Sequence, residues 1–514
     1  MTDFRDIAAT TLKNNPEKAA LILDDLEISY ADFDHRIQQH AEAFASLGIQ
    51  KGDRIGLLSH NRPMLASLMF ACWRVGAVAL PINHRYRGPE VEYALEHSGT
   101  RMLIAQDVLA KPLAGTLNQP KSVEYMFTFD TPIAGIGEPW RPYSLQEHDS
   151  ITPVEAKSSD PSAIYYTSGS TSKPKGVTHT RESIYATAVS RTNTLGFQPD
   201  DRWLLSTQLV HVSASLGSFL PCIYAGGTTV FLEEFTAESY LAAMAKCRPT
   251  RSIMLPALLH DILDHPDSKN TDFSCLRSME CGGDVVTQDL YDQWAELSDA
   301  PLAQLLGMTE CEGYCLANQT GSIKVGSAGK PREGVEVQVV DEDGKTVPPG
   351  VIGELTLRSK SMMVGYWNDE ENTAKTIRDG WLHSGDQGKI DEDGDVWFVG
   401  RSKEIIIHRG SNIAPGEVES ILDTHPDISE GVVVGVNAPK IGQKVVAFLE
   451  PRHGATIDTA GLRAWMMPMI SEYKIPEEWV IVEKLPRNAV GKMDRKKIHE
   501  LANEQFGTDA TAKA

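Results

Sequence analysis

At 514 residues, 41% apolar and 23% charged, the chain is too long for one ordinary hydrophobic core, and two or more globular domains are expected. Its 49 basic and 70 acidic residues leave a formal net charge of −21, a sign that repels nucleic acid and anionic membranes and argues against both as partners. No apolar run is long enough to span a bilayer, and the N-terminal segment lacks the basic start and apolar stretch of a signal peptide. Seven cysteines without a CxxC pair read as reduced thiols, so a cytoplasmic protein is expected.

In chain order, Arg54–Leu58 reads as a buried strand and Pro63–Val75 as an apolar-rich helix. Gly76–Leu80 follows as a strand stopped by Pro81, and Arg101–Ala105 as another. This spacing predicts a parallel sheet with helices on its faces. Ala163–Tyr166 is a further strand, and the pattern resumes with a helix over Glu182–Arg191 and a strand over Trp203–Thr207. Between residues 325 and 400 the texture changes. Val335–Val340, Glu354–Arg358 and Asp395–Val399 alternate, with Asp343-Gly344 and Asp393-Gly394 as hairpin-type turns. They predict an antiparallel, β-rich subdomain. Past Gly400, a strand at Glu404–Ile407, a helix at Pro415–Asp423 and strands at Gly431–Gly435 and Lys444–Leu449 predict a small C-terminal unit. The fold class is therefore α/β: a large domain over residues 1–400, a hinge at 401–403, and a small α+β domain over 404–514.

The most informative stretch is YYTSGSTSKPKG, residues 165–176. Small residues let backbone N–H groups approach an anion closely. The hydroxyls of Thr167, Ser168, Ser170 and Thr171 can donate to phosphate oxygens around Gly169, and Lys175 offers a point charge. The stretch is not a Walker A loop, because GxxxxGK[ST] is absent.

This loop resembles the signature of the acyl-adenylate-forming superfamily, the acyl-CoA synthetases and their relatives. Four further segments match that family in its order: GMTE at 307–310, GWLHSGD at 380–386, GRSKEIIIHRGSNIAPGEVE at 400–419 and PRNAVGKMDR at 486–495. Together they span most of the chain. The resemblance implies ATP, Mg²⁺ and coenzyme A as cofactors and a small carboxylic acid as substrate, and it leaves homo-oligomerisation open. It implies that Thr309 contacts the α-phosphate and that Glu310 helps hold Mg²⁺, for which a carboxylate is the right hard ligand. Asp386 and Arg401 would hold the ribose, Lys492 would be the catalytic lysine, and Lys403 the hinge about which a mobile small domain rotates. Gly410 and Ser411 would line a thiol tunnel. Gly282, Gly283, Asp284, Leu305, Leu306, Gly307, Met308 and Phe398 would complete the nucleotide site.

His211 falls where family members carry a histidine near the acyl carboxylate, and Val212, Ser215, Phe219 and Cys281 are expected to line the acyl pocket with it. No arginine occurs in segments 211–219, 280–284 and 305–308, which disfavours a dicarboxylate, and no aspartate near 211–215 is present to hold an amino group. A medium aliphatic or aromatic monocarboxylate is expected. Two departures stand out. Ser172 replaces a glycine usual in the loop, and Leu306 stands where an aromatic usually stacks on adenine. The alternatives are an adenylation enzyme that loads a carrier-protein thiol and a non-catalytic nucleotide-binding protein on the same fold.

Overall fold

The computed structural model describes residues 7–142, 155–167, 173–283, 286, 288–318, 323–401, 405–452, 454–487 and 493–507. Two large sheets form the body. The first has eight strands, with Arg54–Leu58 at its centre flanked in parallel by Val78–Ile82 and Met102–Ala105. The second has nine, and its run from Ala19–Leu23 through Thr228–Phe231, Arg202–Leu205, Arg251–Met254 and Ser278–Gly282 to Leu302–Met308 is parallel throughout.

Helices join and cover these strands, as all-parallel ladders require. The helix Pro63–Val75 opens on a proline, whose missing N–H is no loss in a first turn. It closes on Gly76 at φ 74, the left-handed cap that a glycine adopts most easily. Ten of its residues are buried, because it packs between sheets rather than on the surface. The expected stop at Pro81 is corrected: the strand runs Val78–Ile82, with Pro81 paired to Leu57. On its other side this strand pairs with Pro161–Thr167 only at Ala79, so the proline's lost donor falls beyond that ladder.

The β-rich subdomain is an antiparallel sheet of five strands built on Val335–Val340, Gly353–Ser359, Trp381–Ile390 and Val396–Arg401. The C-terminal unit pairs Ile428–Ala438 with Gly442–Pro451 over nearly their whole length, and helices Pro415–Leu422 and Arg495–Phe506 pack on this sheet. Its core gathers Ile406, Val418, Leu422, Val433, Val445 and Leu462, all buried. Among the described residues, no helix is long and apolar enough to cross a membrane.

Candidate active site

The strand Pro161–Thr167 lies parallel to Val78–Ile82, then returns antiparallel as Lys175–Thr180, with Thr167 opposite Lys175. The hydroxyl-rich loop therefore hangs from the carboxyl end of a parallel strand, where open α/β sheets place their ligands. Ser168, Gly169, Ser170, Thr171 and Ser172 of that loop lie outside the described residues, as do Asp284, Lys403 and Lys492 and the side chain of Arg401.

Leu302–Met308 and Cys311–Ala317 form a bulged hairpin that turns at Thr309–Glu310. Glycines allow the tight return: a Cβ on Gly307 would fall 1.9 Å from the Gly313 carbonyl oxygen. The turn is held from both sides. The Nε2–H of His179 donates to the Thr309 carbonyl at 2.8 Å, and the Tyr366 hydroxyl donates to Glu310 Oε1 at 2.8 Å. Tyr366 also lies under the ammonium of Lys175, 4.8 Å from its ring centroid, and so links that ammonium to the Glu310 carboxylate.

One cavity of about 640 Å³ opens between these elements. Its wall carries Thr167 and Lys175, then Gly307, Met308, Thr309 and Glu310, with Asp386, His211, Val212 and Gly283. The C-terminal unit adds Gly410 and Ser411. Asp386 is buried, and its register partner across the ladder is Arg401, so the two residues expected to share the ribose are cross-strand neighbours. Glu310 offers a hard oxygen donor whose second oxygen is not taken by Tyr366, which fits a divalent ion shared with phosphate. Among the described residues, no three metal-ligating side chains converge, so most ligands of such an ion would come from phosphate and water.

Several expected residues are not on this wall. Ser215 opens a π-helical turn, Ser215–Phe219, and its hydroxyl is taken by the His211 carbonyl at 2.9 Å and the Tyr165 hydroxyl at 2.8 Å. Phe219 packs against Phe70 and Phe231 in the core. Cys281 points into the cluster of Met254 and Trp294. Its neighbour Glu280 faces the other way, into a buried ion pair with Arg191 at 2.9 Å. Leu305 is core, and Leu306 packs against the β-rich sheet. Gly282 pairs with Leu305, whose carbonyl oxygen an added Cβ would meet at 2.6 Å, and Phe398 pairs with Gly388, beyond Asp386 on that strand.

The structure adds residues that the motif segments do not contain. Arg85, from the turn after Val78–Ile82, lines the cavity, donates to Ser411 Oγ at 2.8 Å and stacks 3.9 Å over the Tyr473 ring. Arg409 lines it too, so arginines do reach the cavity from outside the three acyl-pocket segments. His84 joins the same wall. Burial, reinforced by Arg85, pushes His211 down to about 4 and His84 to about 2, so both imidazoles are neutral at neutral pH.

Two buried histidines give a pH prediction. Burial pushes His40 down to about 3 and His179 to about 4, from 6.5. On acidification the unfolded chain therefore takes up these protons first. Their stabilisation is complete above about pH 6.5 and is lost toward pH 4, at up to about 1.4 kcal/mol per pH unit for each group. Thermal melts are expected to show Tm falling from about pH 7 to pH 5; a flat Tm across that window would contradict this.

A family model described as AMP-binding enzyme matches residues 8–367, and one described as AMP-binding enzyme C-terminal domain matches residues 417–492. The chain is 31% identical over 492 residues to an indoleacetate–CoA ligase of Aromatoleum aromaticum, covering 95% of each chain. It is 32% identical over 485 residues to a feruloyl-CoA synthase of an Amycolatopsis species, covering 93% of this chain and 95% of the relative. Among solved structures, the amide bond synthetase McbA of Marinactinospora thermotolerans superposes with a TM-score of 0.87 at 26% identity, covering 96% of this chain and 99% of that one.

Proposed function

The chain belongs to the AMP-binding enzyme family and is an ATP-dependent ligase that forms acyl-CoA through an acyl-adenylate, and from that premise we propose that its acid is an aromatic or medium aliphatic monocarboxylate. One observation carries this reading. One cavity brings together Thr167, Lys175, Thr309 and Glu310, which we read as its phosphate side, Asp386, which we read as the ribose carboxylate, and the small-domain turn at Gly410. Besides His211, His84 and Arg85, the wall carries the apolar side chains of Val210, Val212, Leu255, Leu258 and Met308, which suit an aromatic or aliphatic chain. Indoleacetate and ferulate, the acids in the relatives' names, are aromatic monocarboxylates.

In the first half-reaction a carboxylate oxygen attacks the α-phosphorus of ATP, and the bond to pyrophosphate breaks. Charge builds on the phosphoryl oxygens, so positioned donors and cations supply the catalysis. Thr167 and the loop hydroxyls, Thr309, Lys175 and Lys492 take that role, and Asp386 with Arg401 fixes the ribose. Mg²⁺ held by Glu310 and phosphate would neutralise part of the charge. In the second half-reaction a thiol sulfur attacks the acyl carbon, its proton passes to solvent, and AMP leaves. The small domain, residues 404–514, turns about Lys403 between the two steps. A cytoplasmic setting suits its seven free cysteines.

A panel of acids supplied with ATP and Mg²⁺ tests the reading. Acid-dependent ATP–pyrophosphate exchange is expected with aromatic and medium-chain acids, with AMP release once coenzyme A is added. Exchange at background across the whole panel would favour a non-catalytic nucleotide-binding protein. Faster transfer to a phosphopantetheinylated carrier protein than to coenzyme A would reassign the acceptor.

A further inference from the structure

One side of the cavity is closed by the C-terminal unit, and a buried ion cluster ties that unit to the large domain. Lys474 Nζ lies 2.8 Å from Glu90 Oε1, on the large-domain helix Gly88–Ser98, and 2.6 Å from Glu417 Oε1 of its own unit. The lysine side chain is 1% exposed. The buried Ser471 hydroxyl reaches both Glu90 oxygens, at 3.0 and 2.8 Å. The rings of Tyr86 and Tyr473 wall the cluster, 5.1 and 5.7 Å from the ammonium.

Lys474 already has a partner in Glu417, so the small unit's own charge pairing does not need Glu90. The Glu90 contacts exist only when the two domains are docked. The same docking brings Ser411 onto Arg85 and sets Gly410 against Leu255. We propose that Glu90 is a positioning residue for acyl transfer: with Lys474 and Ser471 it latches the small domain in the pose that turns Gly410 and Ser411 to the cavity. This inference rests on the two-step reading above. A buried ion pair roughly breaks even against hydrated, separated ions, which suits a contact that must open in every turnover.

Glu90→Gln is the test. It removes the charge but keeps a side-chain oxygen for the cap that Glu90 makes with the Arg87 N–H at 2.9 Å, so the helix start survives. Acyl transfer from a supplied acyl-adenylate to coenzyme A is expected to slow about tenfold, with pyrophosphate exchange unchanged. Lys474→Met should give the same split. Without ligands, amide hydrogen exchange over residues 86–98 and 471–474 should quicken in Glu90→Gln. Equal slowing of both half-reactions, slowing of neither, or unaltered hydrogen exchange would overturn the latch. If the unsubstituted protein shows no pyrophosphate exchange with any acid while Glu90→Gln still quickens hydrogen exchange, the ligase reading fails and takes the acyl-transfer role with it, and only the docking contact between the domains stands.

Discussion

Replacing Gly410 by leucine is expected to slow acyl transfer to the thiol by on the order of 10²-fold, with acid-dependent pyrophosphate exchange intact. Gly410 is the second central residue of a two-residue hairpin turn between Ile406–His408 and Ser411–Ile413, closed by the His408–Ser411 pair. Arg409 and Gly410 both have positive φ, 48° and 74°, the type I′ signature in which glycine fits best at the second position. A Cβ added at 410 would stand 2.8 Å from Leu255 Cδ1. Leucine would therefore strain the turn and drive a side chain against Leu255, on the wall where the thiol is proposed to pass. Gly410→Ala adds strain with little volume and should fall between. Single-turnover transfer from preformed acyl-adenylate, assayed beside exchange, reads the split; a parallel fall in exchange would mean that the hairpin has no selective role in the second step.

Lys492→Ala is expected to do the reverse, lowering pyrophosphate exchange by about 10²–10³ and sparing transfer from a supplied adenylate. The electrostatic demand behind this is plain. The protein carries a formal net charge of −21 and must stabilise more negative charge at the α-phosphate as that bond forms. Three of the cations on the described wall are Lys175, Arg85 and Arg409. Arg85 is held by Ser411 and Tyr473, and Arg409 lies 3.9 Å from Asp261, whereas Lys175 pairs in register with Thr167 at the end of the strand that leads into the hydroxyl-rich segment. The proposed second ammonium, Lys492 of the small domain, would meet the need, and its withdrawal would clear the way for the thiol. Equal loss of both half-reactions would sink this division of labour.

Local patterns in the sequence carried much of the fold. The apolar helix Pro63–Val75 is bounded by residues whose stereochemistry marks its ends, and the alternating strand at Val335–Val340 shows its period directly. The residues expected at the nucleotide lie in contiguous motifs, and Thr309, Glu310 and Asp386 do reach one cavity. The acyl side was less so. Proximity to His211 along the chain suggested Ser215 and Phe219, but the π-helical turn directs both inward. Arg85 was invisible because it meets Ser411 across 326 residues of chain. His179 and Tyr366, which hold the Thr309–Glu310 turn, sit in strands whose partners only the sheet reveals.

The alternation of the strand Ser278–Gly282 has a chemical consequence. A mixed anhydride of an acid and AMP is an electrophile that would self-acylate the enzyme if a thiol stood beside it. Cys281 lies two residues from Gly283 on the cavity wall, yet its sulfur is packed away with Met254 and Trp294. Among the described residues lining the cavity there is no cysteine at all, and six of the seven sulfurs are buried. The activated acid therefore meets no protein thiol on that described wall, and incoming nucleophiles, the thiol or adventitious water, compete for it.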